Sequence, residues 1–358
     1  MSSPRFQRWA FAAAAAPQRQ LRSHTRRHVH TDSPELSYPA KKPRVRTESA
    51  STASPIADES ATCTAPPSID SDGNRILHTF SKLVGGQLIK RYKRFLADIQ
   101  LDDGEVVTVH CPNTGPMVGL LDIPNAPVQL SVSDNPKRKY AHTLEMIQVH
   151  NGDKHVWVGV HSASANRMVK TALQNGWLPE VVAHRCISRI QTEVKHTKDS
   201  RIDFVIDTAD GSDQGSANNA TDSDDISAKT ATPTAKSTVY AEVKSVTLAV
   251  ESMEHIGDGR RRHLRAVFPD TVSARASKHV EELIHLHETK PHVHGAIVFL
   301  VQRGDCASFA PAAQHDPTFA ALCARAKAAG LGLHAYACDL VPESRQIRLL
   351  DRVPLVFE

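Results

Sequence analysis

The chain lacks both a membrane-spanning apolar run and any closely spaced pair of cysteines. A helix that crosses a bilayer needs about 18 or more consecutive apolar residues, and no stretch reaches that length. The cysteines, at positions 63, 111, 186, 306, 323 and 338, form no CxxC pair. Their spacing therefore predicts neither a zinc site nor a disulfide framework, and it favours reduced thiols that are buried or half-buried.

The chain also has no strong excess of charge of either sign. Lys and Arg number 43 against 39 Asp and Glu, which gives a formal net charge of +4 and a pI of about 8.7. A balance this mild does not establish a nucleic-acid partner, so local clusters of cations must carry that argument. A length of 358 residues, of which 40% are hydrophobic, predicts two domains with tails.

The first thirty residues contain no acidic residue and no lysine, although arginine recurs along them. This composition, with an alanine run at 12–16, is typical of an organellar transit peptide, and we expect a mitochondrial import signal. A plastid or secretory signal, a nuclear address at 41–44 and a merely basic leader of a cytoplasmic protein are the alternatives. Residues 48–72 are rich in Ser, Thr, Ala and Pro, so we predict that 1–72 forms a disordered leader and linker.

A second low-complexity segment covers residues 208–237, which are mostly Ser, Asp, Thr, Ala, Asn and Gly without an aromatic residue. Such a segment cannot bury enough apolar surface to offset its chain entropy, and we predict a disordered insertion within a domain. Convincing strands flank it at 202–206 and 239–243. The insertion costs little stability, because closure entropy grows only with the logarithm of loop length.

Two folded domains are predicted. Residues 78–160 contain short strands separated by turns, such as Asp102-Asp103-Gly104, which predicts a small β-barrel. Residues 161–358 predict a mixed α/β domain in the order α-β-β-β-α-β-α-β. Its predicted elements are helices at 165–175, 273–286 and 317–329 and strands at 187–194, 201–206, 239–249, 295–301 and 333–338.

The strands that flank the insertion carry the residues best suited to catalysis. Glu242 and Lys244 stand two apart and therefore point to one face of a strand, and Asp203 reaches that face if the strands pair as a hairpin. Two carboxylates offer oxygen ligands for Mg²⁺, and a lysine beside them can orient water. An ordinary solvated strand face is the alternative. The apolar neighbours favour a central strand, where charge without a partner is costly.

Six segments, taken in order, resemble the sugar fermentation stimulation protein family. They are RYKRFLAD at 91–98, HCPNTG at 110–115, SDNPKRKY at 133–140, SRID at 200–203, EVKSVTL at 242–248 and FPD at 268–270. The resemblance covers about 85–355. It implies a mixed α/β protein with an N-terminal OB-fold and a C-terminal domain of the PD-(D/E)XK nuclease type. It also implies DNA binding without strong sequence preference. The bacterial members are linked by name to the regulation of sugar metabolism.

On this family's pattern, Asp203, Glu242 and Lys244 occupy the acidic, acidic and basic positions, and Asp203 and Glu242 would hold Mg²⁺ or Mn²⁺. Glu193 is a candidate for an additional acidic member of the catalytic set. Two departures matter for the metal shell. The insertion is longer than the family leads us to expect, and Thr171 stands at a helix position that relatives often fill with Glu.

Basic clusters with aromatic neighbours are the candidates for nucleic-acid contact, since cations meet phosphates and rings stack on bases. Solvated loops are the alternative. The candidate residues are Lys90, Arg91, Tyr92, Lys93, Arg94, Lys137, Arg138, Lys139, Tyr140, Arg275 and Lys278. The last two share a predicted helix face with His279, which we interpret as a phosphate-facing surface.

Two further motifs are expected to be structural. Asn113-Thr114-Gly115 predicts a tight turn in which Asn or Gly adopts a positive φ. The histidines at 285, 287, 292 and 294 straddle a predicted helix end, and their spacing matches no zinc pattern.

Three hypotheses follow. The first is a Mg²⁺-dependent nuclease acting on DNA, the second a non-catalytic DNA-binding or regulatory protein on a nuclease fold, and the third an organellar factor directed at RNA. Nucleic acid, with DNA preferred, is the expected partner, and no membrane partner is expected. The sequence does not fix the oligomeric state, and a homodimer stays open.

Overall fold

The computed structural model describes residues 69–152, 154–198, 200–209, 237–256 and 259–357. Of residues 254–256 and 259–261 only the backbone is described. The predicted transit peptide and nearly all of the predicted linker lie outside the described residues, as do positions 210–236 of the predicted insertion. Both ends of that insertion, where they are described, are strand residues: Thr208 lies in one strand and Ser237 begins the next.

Sixteen strands and three helices occupy the described residues. The strands are β1 (Arg75–Thr79), β2 (Leu83–Tyr92), β3 (Leu96–Leu101), β4 (Val106–His110), β5 (Pro127–Val132), β6 (His142–Asn151), β7 (Lys154–Gly159), β8 (Cys186–Lys195), β9 (Arg201–Ala209), β10 (Ser237–Val246), β11 (Ala249–Ile256), β12 (Gly259–Phe268), β13 (Val293–Val301), β14 (Cys306–Pro311), β15 (Gly332–Val341) and β16 (Gln346–Val353). The helices are α1 (Ser164–Gln174), α2 (Ala274–Thr289) and α3 (Pro317–Ala328).

The first sheet is a small barrel, as the turn-rich pattern predicts. Its strands run in the order β4-β3-β2-β5-β6-β7, and His110 of β4 also pairs with Thr143 of β6, which brings the two sides together. Alternate residues of β3, such as Ala97 and Ile99, face the barrel core because side chains alternate along a strand. Gly104 adopts φ +91 in the hairpin turn that follows β3.

The second sheet is mixed and has seven strands among the described residues, in the order β1-β16-β15-β13-β10-β9-β8. Strands β10, β13 and β15 are parallel neighbours, and the outer pairs are antiparallel. Alternate residues of β13 pack on opposite faces. Val298 lies in the core that includes α1, whereas Phe299 lies in the core that includes α2 and α3. Helices therefore cover both faces of this sheet, as in other layered α/β domains.

Several strands were not predicted. β1 pairs antiparallel with β16 in the large sheet, although the barrel was predicted to begin at residue 78. The single strand predicted at 239–249 is also wrong: β10 ends at Val246 and β11 begins at Ala249. Leu248 lies between β10 and β11, and its carbonyl accepts from the backbone N–H of Val267 in β12. The apolar run in the sequence continues across the break between β10 and β11. Such a pattern predicts a strand but does not indicate the sheet to which the strand belongs.

The third sheet, β11-β12-β14, was missed as a whole. One cysteine also departs from the sequence expectation. Cys111, Cys306, Cys323 and Cys338 are buried, but Cys186 is exposed at the start of β8. None of the described helices is sufficiently long and apolar to traverse a membrane.

Candidate functional site

Strand β10 carries two charged side chains into the interior of the protein. It lies between β9 and β13, so Glu242 and Lys244 are on a central strand and are only 4% and 8% exposed. Their neighbours Ala241 and Val243 pack in the core with α1, which directs the charged pair toward α2. Lys244 Nζ donates to Glu242 Oε1 at 2.7 Å. Each buried charge thereby has an opposite charge beside it.

Asp203 joins this pair from β9, which pairs antiparallel with β10. The register between the two strands ends at Ala241 opposite Phe204, so the N–H of Val243 lacks a partner in that ladder. The Asp203 side chain fills that place, and its Oδ2 accepts from Val243 N at 2.8 Å. Burial, and then the nearby carboxylate of Glu242, raise the pKa of Asp203 to about 6.

Glu193 reaches the same place from β8. Thr192 pairs with Phe204 and Val194 pairs with Ile202, so Glu193 stands across from Asp203. Its backbone adopts a left-handed φ of +53, and its side chain is exposed. The structure therefore gathers the acidic and basic residues selected from the sequence at one end of three neighbouring strands. These residues are Glu193, Asp203, Glu242 and Lys244.

Asn166 on α1 connects two of these carboxylates. Its Nδ2 donates to Asp203 Oδ1 at 2.9 Å and to Glu193 Oε1 at 3.2 Å. The sequence analysis noted Thr171 as the helix position that relatives often fill with Glu. Thr171 Oγ1 donates to the carbonyl of Arg167 within the same helix. The rotation of α1 about its axis is fixed by its buried residues, which include Ala165 and Met168. Asn166 lies beside this buried stripe in the first turn of the helix, and it therefore reaches the site.

His279 is a second site residue that the sequence analysis missed. It was expected on an exposed face with Arg275 and Lys278, but it is 8% exposed and its Nδ1 donates to Glu242 Oε1. Burial by itself raises the pKa of Glu242. The hydrogen bond from His279 and the charge of Lys244 outweigh that effect and hold this pKa below its ordinary value.

A sequence signal for His279 existed. The buried residues of α2 recur at helical spacing as Ala276, Val280 and Leu283, and position 279 falls on that stripe. A histidine inside an apolar stripe needs a polar partner, because an imidazole buried without one is costly. The partner, Glu242, lies on a strand far away in sequence, and only the fold identifies it.

The oxygen atoms gathered here suit a divalent cation that keeps several waters. Mg²⁺ is usually held by one or two carboxylates rather than by a complete protein shell. Within the described segments, no group of three or more His, Cys, Asp or Glu side chains is arranged to hold a metal ion. Burial and, to a lesser extent, the charge of Glu242 raise the pKa of Asp203, and a cation beside it would favour the ionised carboxylate.

The residues of the first basic cluster, at 90–94, have different roles. Arg91 Nη2 donates to the carbonyls of Arg94 and Asn113, each at 2.7 Å, so this guanidinium holds a turn in place. Tyr92 donates to Asp98 Oδ1 at 2.8 Å, and Lys90 lies 3.7 Å from the same carboxylate. Lys93 and Arg94 are exposed, which leaves them the best placed of this cluster for phosphate contact.

The second basic cluster, at residues 137–140, is more open to solvent. Lys137, Arg138 and Lys139 are all exposed. Arg138 Nη2 donates to Thr143 Oγ1 at 2.9 Å, and the Lys139 ammonium lies 5.4 Å from the centre of the Tyr140 ring.

The remaining candidate cations lie on α2, apart from both clusters. Arg275 and Lys278 are exposed there, and Lys278 lies 3.8 Å from Glu282.

The turn at Asn113-Thr114-Gly115 links the barrel to the second domain. Asn113 Oδ1 accepts from Gly115 N at 2.9 Å, and Asp270 Oδ2 accepts from Met117 N at 3.1 Å. The turn is structural, as expected, but the positive φ occurs at Met117 and not at Asn113 or Gly115. Among the four grouped histidines, the rings of His287 and His294 lie 5.9 Å apart.

Comparison with known proteins places this geometry in a family. A family model described as the SfsA N-terminal OB domain matches residues 89–160, and one described as the sugar fermentation stimulation protein RE domain matches residues 163–344. The chain belongs to the sugar fermentation stimulation protein family. Its barrel is accordingly an OB domain, and its second domain is a mixed α/β domain with helices on both faces of a mixed sheet.

Curated relatives share this family across most of the chain. A sugar fermentation stimulation protein homolog of Acaryochloris marina is 40% identical over 268 residues, which cover 75% of this chain and 91% of the relative. The homolog of Trichormus variabilis is 39% identical over 283 residues, covering 78% and 98%. A solved structure of Pyrococcus furiosus SfsA in complex with Ca²⁺ superposes with a TM-score of 0.58 at 19% identity, covering 78% of this chain and 99% of the other.

Proposed function

We propose that this chain is a DNA-binding protein that cleaves phosphodiester bonds with the help of a divalent cation. The observation that carries the proposal is the convergence of Asp203 and Glu242 with Lys244 at one end of the large sheet. Cleavage of a phosphodiester requires a cation that neutralises developing charge and a water aligned for attack. Carboxylates and a lysine in one small volume are the side chains that can meet both needs.

Asp203 and Glu242 would hold Mg²⁺ or Mn²⁺, and Glu193 is near enough to contribute through water. The bound cation would act as a Lewis acid on the phosphate. The solved structure of Pyrococcus furiosus SfsA is a complex with Ca²⁺, which is in keeping with a cation site here.

The chain's own residues would orient the reaction. The Lys244 ammonium lies 2.7 Å from Glu242 Oε1, where it can position a water and stabilise negative charge on a phosphate oxygen. His279 donates to the same Glu242 oxygen and fixes the carboxylate from the α2 side. Asn166 does the equivalent for Asp203 from the α1 side. These contacts keep the charged groups in one geometry before a substrate arrives.

The test is cleavage of labelled single-stranded and duplex DNA and RNA with Mg²⁺, Mn²⁺ or EDTA. Wild type is compared with Asp203→Ala and Lys244→Ala, each checked for folding by circular dichroism and for binding in EDTA. Asp351→Ala serves as the control, because the Asp351 side chain is 97% exposed. We expect metal-dependent cutting that both site substitutions abolish and that the control retains. Binding without cutting under either metal would reject the enzyme.

A non-catalytic DNA-binding protein is the second candidate, and one observation favours it. Glu242 Oε1 accepts from both Lys244 and His279, so two donors already occupy an oxygen of the carboxylate that would hold the metal. Such an arrangement can stabilise a nuclease-type fold without chemistry. Calorimetric titration with Mg²⁺ separates the candidates, since Asp203→Ala should remove heat of binding only if the cation belongs there.

A further inference from the structure

A second cleft, separate from the carboxylates of the candidate site, opens between the barrel and α1. It has a volume of about 460 Å³. Strands β1, β4, β5 and β6 and helix α1 all contribute to its wall. The lining residues that matter for the argument are His78, His110, Arg138, Glu145, His161 and Arg167.

Positive charge dominates the open part of this cleft. The guanidinium groups of Arg138 and Arg167 are both exposed. In the part of the chain that the structure describes, Arg167 forms no ion pair, and Arg138 is held only by Thr143 Oγ1 at 2.9 Å. The one carboxylate of the wall, Glu145, is 7% exposed and accepts from Ser131 Oγ at 2.6 Å and from His161 Nδ1 at 2.9 Å. Glu145 is therefore occupied by protein donors, whereas both arginines face the space.

Aromatic rings line the same space beside the arginines. The imidazoles of His78, His110 and His161 are each half-buried, so part of each ring is open to the cleft. His78 is supported from behind by Phe80, with ring centres 4.5 Å apart. Guanidinium groups that meet phosphates and rings that stack on bases form the combination by which proteins hold single-stranded nucleic acid.

The cleft also adjoins the candidate site through α1. Asn166, which donates to Asp203, and Arg167, which lines the cleft, are consecutive residues of that helix. Consecutive helical residues diverge by about 100°, so one helix turn faces both places. A strand bound in the cleft would therefore run within a short distance of the carboxylates.

We propose that this cleft between the barrel and α1 binds one strand of nucleic acid, with Arg138 and Arg167 on its phosphates and the three histidines against its bases. The cleft volume of about 460 Å³ lies within the range of pockets that hold small ligands. Bases can stack on these rings only when they are unpaired, so a single strand is the expected ligand. The proposal rests on the nucleic-acid-binding part of the proposed function and does not require cleavage.

The experiment measures binding of fluorescent dT12, rU12 and a 12-base-pair duplex to the full chain in EDTA, at several salt concentrations. The variants are Arg167→Gln, whose side chain makes no hydrogen bond or ion pair with the described residues, and the double change Arg138→Gln with Arg167→Gln. Arg325→Gln is the matched control. It removes the same charge from an exposed position on α3, which packs on the opposite face of the large sheet.

We expect Arg167→Gln to weaken single-strand binding about fivefold and to reduce the slope of log K against log salt by about 0.7, the value for one lost phosphate contact on a single strand. The double variant should lose about 1.4 from the slope, while Arg325→Gln leaves it unchanged. The dT12 and rU12 arms identify the preferred polymer. Equal effects of Arg167→Gln and Arg325→Gln, a larger effect on the duplex, or no single-strand binding at all would each overturn the proposal.

Cleavage is measured separately with Mg²⁺, so the two proposals can fail independently. If Arg167→Gln lowers the salt slope of single-strand binding but the wild type never cleaves nucleic acid, the binding cleft is supported and the nuclease is rejected. If the wild type cleaves with Mg²⁺ but Arg167→Gln leaves the salt slope unchanged, the nuclease is supported and the binding cleft is rejected.

Discussion

The candidate site on β10 and the basic surface of the barrel both collect charge, but they do so under opposite physical conditions. Glu242 and Lys244 are nearly inaccessible, and each depends on named partners. Lys93 and Lys137 project into solvent, where water and salt screen them. Charge in the first region is therefore coupled to folding, whereas charge in the second affects mainly the affinity for a partner.

The partners in the buried region come from several elements. His279 reaches it from α2, Asn166 from α1 and the backbone of Val243 from β10 itself. A buried charge without such partners would cost several kcal/mol. The contrast predicts that substitutions in the site change stability as well as activity, and that substitutions on the barrel surface change binding alone.

The largest effect is expected from Lys244→Met. This change keeps the length and apolar stem of the side chain but removes the cation that faces Glu242 and Asp203. We expect the free energy of unfolding to fall by about 3 kcal/mol, because one partner of a buried pair is lost. Urea unfolding measures it. Lys327→Met on the exposed surface of α3 is the control, with an expected change below about 0.5 kcal/mol. Equal losses in the two variants would contradict the comparison.

Stability should also depend on pH through His334, which lies outside the site and has a buried ring nitrogen without a hydrogen bond. Burial, and then the charge of Arg352, lower the pKa of His334 on β15 to about 4, and its Nε2 is buried without a hydrogen bond. The unfolded chain binds a proton near pH 6.5 and the folded chain does not. This contribution to stability is complete above pH 6.5 and is lost as the pH falls from 6.5 to 4.

Between pH 7 and pH 5 the free energy of unfolding should therefore decline by about 2 kcal/mol on account of His334. His334→Gln removes that part of the decline, which urea unfolding at the two pH values measures. His155→Gln, at an exposed imidazole of β7, is the control and should leave the decline as in wild type. An identical decline in wild type and His334→Gln would show that the imidazole is protonated in the fold.

A smaller effect is expected from Asn166→Asp, which adds a carboxylate to the acidic cluster. The variant loses the donor shared by Asp203 and Glu193, so the free energy of unfolding in EDTA should fall by about 1–2 kcal/mol. If a divalent cation binds there, Mg²⁺ should raise the melting temperature of the variant more than that of wild type. Asn135→Asp, on an exposed turn of the barrel, is the control and should show no such difference.

Local patterns were sufficient for much of this architecture. The alternation in β3 and its following turn predicted the barrel hairpin, and the i, i+2 spacing of Glu242 and Lys244 predicted a shared face. What the patterns could not supply is the identity of distant partners. β1 joins β16, almost 270 positions later in the chain, and no local signal records such a pairing. The same limit hid the contact of His279 with Glu242.

The site residues that the sequence analysis missed lie on helices, where one sequence pattern fits more than one interpretation. Arg275, Lys278 and His279 fit a basic helix face, but the apolar stripe of α2 turns the last of them inward. Asn166 was missed as well, because only the packing of α1 brings it to the site carboxylates. In both cases the rotation of a helix about its axis decided the outcome, and buried neighbours set that rotation.

The smallest effects on stability, and the sharpest division of roles, are expected within the barrel cluster itself. Lys93→Gln should leave the free energy of unfolding within about 0.5 kcal/mol of wild type, because Lys93 is exposed. If it contacts duplex phosphate, its loss should reduce the salt slope of duplex binding by about 0.9. Arg91→Gln should behave in the opposite way, with a loss of about 1–2 kcal/mol, since its guanidinium donates to two backbone carbonyls. Urea unfolding and salt-dependent binding of both variants make the comparison. If Lys93→Gln and Arg91→Gln change stability and salt slope by the same amounts, the two cations share one role. The barrel surface would then have no division between cations that stabilise the fold and cations that contact phosphate.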